Sequence, residues 1–190
     1  MAKFQYTPAP LAKAILQDLF VQNAPNALAP DFIYSKNKDE DSDEYEIVMR
    51  QTIHDTGLKN SAGEKVTTKI WGYGEKGHGK KVTWPGKTFE VQSNVKTEVK
   101  WNNELKNCNG KPIDHLLPID DSLHWCYSLP DKSRSIANDG IPLVPHLHGG
   151  HNRPEADGNP EYFEGLTYNS RGPRFVSNEY NYDNSQRAGT

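Results

Sequence analysis

Cysteine is scarce in this sequence: Cys108 and Cys126 are the only two among 190 residues. That excludes a disulfide scaffold, and the lack of Cys-x-x-Cys spacing excludes a cysteine zinc cluster. A single disulfide between the two stays open. Neither has ligand-type neighbours at short spacing, so neither reads as the thiolate of an electron-transfer copper site. Long apolar runs are also missing. No stretch reaches transmembrane length, and Met1 to Pro8 lacks the hydrophobic core of a signal peptide. The chain is therefore expected to be soluble, with no membrane association and no signal for a particular compartment. Excess charge of one sign is absent too. A formal net charge of −3 gives no ground for a nucleic-acid partner. Hydrophobic content is 34% and mean hydropathy −0.85, low for a compact globule. Thirteen prolines and fifteen glycines favour short strands and loops over long helices. The glycine-rich stretch Gly74 to Gly79 lacks the Gly-Lys-Ser/Thr ending and the following helix of a phosphate-binding loop.

What is present is histidine, concentrated in one place. Of seven histidines, three fall in Pro145-His146-Leu147-His148-Gly149-Gly150-His151. The preceding Ile141-Pro142-Leu143-Val144 is apolar and partly β-branched, which reads as a buried strand running into a glycine turn. Alternation along a strand places His146 and His148 on one face, with Leu143, Pro145 and Leu147 on the other. Two neutral imidazoles on one face can ligate a transition metal, since each offers a lone pair and neither adds charge. The double glycine leaves space beside the second histidine for further ligands or a small molecule. His151 lies past the turn and is not expected to be a ligand.

Along the rest of the chain, Leu11, Ile15 and Leu19 recur at helical spacing and predict a short amphipathic helix. Asn23 to Pro30 reads as extended linker, and Asp39 to Glu44 as a mobile acidic turn. From Tyr45 the period changes. Tyr45, Ile47 and Met49 alternate with Glu46, Val48 and Arg50, as in a half-buried strand. A turn is expected over Gly57 to Gly63, with strands over Val66 to Tyr73 and Lys87 to Gln92. Val95, Thr97, Val99 and Trp101 then alternate with Lys96, Glu98 and Lys100. No helical pattern separates these strands, so antiparallel pairing in a sandwich or barrel is predicted. Asn102 to Gly140 is irregular, and the aromatic residues from Tyr162 to Tyr182 read as core and loop anchors.

Several of these stretches, in order, resemble the first cupredoxin domain of multicopper oxidases, particularly the bacterial spore-coat laccase and bilirubin-oxidase branch. They are Ile70-Trp71-Gly72-Tyr73, Trp84 to Val91, Val99 to Leu105, His115 to Asp120, His146 to Gly150, Asp157 to Glu161 and Tyr182 to Arg187. Each is weak alone, and the ordered set is specific. The resemblance implies an all-β, cupredoxin-like Greek-key β-sandwich, incomplete, with an N-terminal helical or extended arm. Residues 1–44 would form the arm and acidic linker, and 45–190 the cupredoxin-like domain, lacking its C-terminal strands. It also implies copper: His146 as a type 2 ligand and His148 as a type 3 ligand of a trinuclear centre only partly supplied by this chain. Asp157, before Gly158, would assist proton delivery to oxygen. The partners implied are the remaining cupredoxin domains or a second fragment or chain, with dioxygen and small aromatic reductants as substrates. In the family a second His-x-His strand follows the equivalent of Gln186-Arg187, and this sequence stops before it. The isolated chain is accordingly expected to be inactive.

Two other readings compete. Gly140 followed by His146-Leu147-His148 matches the start of a cupin signature, but Asn152 and Arg153 stand where a glutamate is required. The chain could instead be a non-catalytic β-sandwich that binds metal adventitiously or mediates assembly, because an unpaired sheet edge favours association.

Overall fold

A computed structural model describes residues 30–38, 42–77, 79–120, 136–167 and 170–187. The helix expected over Leu11 to Leu19 lies outside these residues. The strands are β1 (Asn37–Lys38), β2 (Ser42–Lys59), β3 (Lys65–Glu75), β4 (Val82–Thr83), β5 (Lys96–Asn103) and β6 (Glu179–Tyr182). They form one open, mixed sheet in the order β4-β3-β2-β5-β6, with β1 added to β2. A four-residue helix, α1 (Ile136–Asp139), and 3-10 turns at Pro30–Phe32, Pro154–Ala156 and Pro160–Tyr162 are the other regular elements described. The fold is that of an incomplete all-β cupredoxin-like domain.

The expected alternation organises the core on one face of the sheet, but Val48, expected to face solvent with Glu46 and Arg50, is fully buried as well. Tyr45, Ile47 and Met49 of β2 are buried, as are Thr97, Val99 and Trp101 of β5. Register sets Tyr45 beside Val99 and Ile47 beside Trp101. It also sets Val99 beside Tyr180 and Thr97 beside Tyr182 of β6. Tyr34 and Ala156 close this cluster from outside the strands, with Phe89 packed against it. Each large side chain removed from water here contributes about 1.5–3 kcal/mol. The Phe89 ring lies 4.6 Å from Tyr34 and 5.0 Å from Tyr45, edge-on to the latter.

Four expectations are corrected. First, β2 and β5 run parallel rather than antiparallel. A parallel neighbour needs a crossover, and the β2–β3 hairpin with the following loop supplies it without a helix. Second, Lys87 to Gln92 is not a ladder strand. Thr88 makes a single bridge, exchanging backbone bonds with Phe32 (2.9 Å) and Tyr34 (3.0 Å). Third, the acidic stretch is not all turn. Ser42, Asp43 and Glu44 open β2, and buried Asp43 accepts from Lys36 Nζ at 2.7 Å. The β2–β3 hairpin also turns later than expected. Asn60 accepts the Ala62 and Glu64 amides at 2.9 and 3.0 Å, and Gly57 falls in the pairing irregularity between Asp55 and Lys59.

Candidate metal centre

The histidine segment is held at both ends by side-chain amides. Upstream, Leu143 and Glu164 exchange backbone hydrogen bonds at 2.9 Å. Asn103, the last residue of β5, donates to the carbonyls of Ile141 (2.8 Å) and Glu164 (3.1 Å). Downstream, the Leu147 carbonyl accepts the Gly150 amide at 3.2 Å and the Asn152 side chain at 3.0 Å. Gln186 then spans the turn: its Nε2 donates to Gly149 O and its Oε1 accepts His151 N–H, both at 3.1 Å. The segment itself is extended rather than a ladder strand, with one bridge at Leu143. Pro142 and Pro145 lack the N–H groups that a ladder would need.

His146 and His148 come together at this turn, with ring centroids 5.9 Å apart and planes inclined by 46°. Both are exposed. His146 and Leu147 line one side of a cleft of about 240 Å³ whose other walls include Val99, Trp101 and Tyr182. Leu147 therefore borders the same cleft as His146 instead of turning away from it. Burial pushes the Tyr182 phenol up to about 12. The cleft wall is accordingly neutral and weakly hydrated beside the imidazoles.

Asp157 follows the Pro154–Ala156 turn, whose Ala156 is 2% exposed in the core. The next residue carries the contact that matters. Gly158 has φ +75°, and a Cβ there would stand 2.8 Å from His146 Nδ1 and 2.9 Å from its Cγ. The Asp157–Gly158 turn thus lies directly against the His146 ring. The side chains of other candidate ligands lie elsewhere. His115 packs on Trp71 at 5.6 Å, and burial lowers its pKa. Cys108 is a free, exposed thiol, and Cys126 and His124 lie outside the described residues. Among the described residues no third histidine, cysteine or carboxylate joins the pair to make a metal cluster.

Comparison with known proteins bears directly on this site. No family model matches the chain. The chain is 30% identical over 158 residues to the laccase of Bacillus subtilis (strain 168), covering 83% of this chain and 26% of that protein. It is 32% identical over 122 residues to multicopper oxidase LPR1 of Arabidopsis thaliana, covering 64% and 18% respectively. Over these stretches the chain is similar to multicopper oxidases. A laccase of Bacillus stratosphericus matches 65% of it at 31% identity, over 20% of the relative's length. The chain spans roughly a fifth to a quarter of the length of these relatives. Multicopper oxidases imply copper as cofactor in general, and the donor set of this chain fits it. Two imidazoles side by side supply borderline nitrogen donors, and their exposure leaves room for ligands from elsewhere.

The sequence pattern marks His146, His148 and Asp157 but not what positions them. Gly158 and Gln186 fall within the matching stretches. Their contacts join segments distant in sequence, Gln186 reaching across 37 residues to Gly149.

Proposed function

We propose that this chain forms part of a laccase-like multicopper oxidase, in which His146 would hold type 2 copper and His148 one copper of the type 3 pair. Copper, when bound, supplies the one-electron redox chemistry by which phenolic or similar donors are oxidised and dioxygen is reduced to water. The observation that carries the reading is the imidazole pair, with His146 lining an apolar cleft and the Asp157–Gly158 turn against its ring. The chain's own residues hold and protonate. Gly158 packs against the His146 ring, and Gln186 holds the turn that follows His148. Asp157, in the turn against His146, would hold a proton for this chemistry, since reduction of oxygen to water consumes protons. The apolar wall of Val99 and Trp101 keeps bulk water from one side of the pair. The remaining ligands come from further cupredoxin domains or from a second fragment or chain, which the short span against the relatives supports.

Titration of the chain with Cu(II), followed by electron paramagnetic resonance, tests this. Weak binding with nitrogen hyperfine structure is expected, and it should vanish in the His146→Ala/His148→Ala double variant. Tight stoichiometric copper persisting in that variant would sink the assignment. The copper-loaded chain alone should remain pale and inactive on phenols, and a blue, active preparation would contradict the need for further domains.

A further inference from the structure

A second cleft, of about 680 Å³, lies between the distal β2–β3 hairpin and the segment from Lys80 to Pro85. It shares no lining residue with the histidine cleft. Its size lies within the range of small-molecule sites, about 300–1,000 Å³.

Its wall depends on a close backbone approach. A Cβ on Gly72 would stand 2.3 Å from the Thr83 carbonyl oxygen, so the bare α-carbon lets β4 cross β3 tightly. That crossing presents Trp84, 58% exposed, with Ile53, 61% exposed, on the hairpin across the cleft. The indole is braced edge-on by the His54 imidazole at 5.8 Å and 88°. Phe32 and Pro85 extend the apolar surface.

The polar groups of the cleft have one sign to spare. Arg50 is engaged by Glu104 at 2.6 Å, Lys80 by Glu75 at 2.9 Å, and the cleft's single carboxylate, Asp55, by Lys65 at 2.7 Å. Lys81 makes no ion pair among the described residues, although the chain as a whole is acidic. Thr83 stands two positions further along the same extended segment and also lines the cleft. Its Oγ1 is buried without a hydrogen-bond partner among the described residues. A buried hydroxyl is normally paired, and an unpaired one costs about 1–3 kcal/mol.

We propose that this cleft binds an aromatic carboxylate, its ring on Trp84 and Ile53 and its carboxylate paired with Lys81. A broad apolar floor beside one spare cation matches a single anionic group on a flat apolar body better than a polyanion or a neutral sugar. The site needs no copper and does not rest on the proposed oxidase role.

Calorimetric titration of the 190-residue chain with 2-naphthoate, against neutral 2-naphthalenemethanol, tests it. Saturable one-to-one binding is expected for the acid, weakened by added salt. Trp84→Ala should lower affinity about tenfold and Lys81→Gln about threefold, from the usual worth of an aromatic contact and an exposed ion pair. Trp84→Phe, which keeps a ring, should retain most of the affinity. It guards against misfolding of the alanine variant, with circular dichroism as a check. The proposal is overturned by absence of saturable binding, by equal binding of the neutral alcohol, or by affinity unchanged in folded Trp84→Ala.

Discussion

Gly158 acts on His146 through what it lacks. A methyl group at this position would overlap the imidazole, and φ +75° adds strain for any L-residue with a Cβ. Gly158→Ala should therefore push the His146 ring out of line with His148. Copper affinity is expected to fall on the order of tenfold, the scale seen when groups supporting a metal ligand are removed. Thermal stability should fall by about 1 kcal/mol from the backbone strain. Gly158→Asn separates the two effects, since asparagine tolerates positive φ but still carries a Cβ. It should lose copper affinity with less loss of stability. Copper titration and thermal melts on both variants measure this, and wild-type affinity in Gly158→Ala would disprove the positioning role. At this scale the sequence was partly legible. The His-x-His pair announces itself because its residue types are rare and adjacent. The Gly158 contact does not, because a glycine's message is an absent side chain whose neighbour is chosen only by the fold.

Among the elements, strands with one buried face were legible and their directions were not. β2 and β5 declare themselves by alternation, because the same residues that repeat in sequence are those facing the core. Parallel pairing leaves no such mark, since side-chain alternation is the same for either direction. The histidine segment misled as a strand because its apolar residues are β-formers while Pro142 and Pro145 withhold the donors. Glu75, ending β3, shows how one residue ties several elements together. Burial alone would raise its pKa, but the Ser35 amide, Lys80 and Lys87 outweigh this and hold it at about 2, against an ordinary 4.5. The folded chain thus prefers ionised Glu75. The resulting stability is fully present above pH 4.5 and is lost as pH falls toward about 2. Glu75→Gln should cost on the order of 2 kcal/mol at neutral pH, typical of charge-assisted hydrogen bonds. It should also flatten the acid limb of the stability profile. Urea unfolding of both proteins from pH 2 to 7 measures it, and parallel profiles would remove Glu75 from the account.

For the molecule as a whole, the distribution of apolar surface makes its own demand. Leu117 is 76% exposed, Val176 70%, Leu147 46% and Val91 44%, the last two bordering the histidine cleft. Behind that rim lie Val99 and Trp101, so the apolar floor of the sheet continues to the surface. Among the described residues β6 pairs with β5 alone, leaving one side of the strand without a ladder. Exposed apolar surface next to an unpaired edge favours association. If His146 and His148 hold copper as proposed, the remaining ligands would approach from this same face. The 190-residue chain produced alone should therefore bind the neutral dye Nile red and associate at micromolar concentration. Light scattering should report masses above the 21.4 kDa of one chain. Co-production with the remaining cupredoxin domains of a multicopper oxidase should suppress dye binding and tighten copper binding together, because one covering surface would serve both. A dye-silent 21.4 kDa monomer would mean that the chain buries this face unaided. If added domains quenched the dye without changing copper affinity, the covered face and the ligand-completing face would be different surfaces, and the histidine pair would stand outside any shared centre.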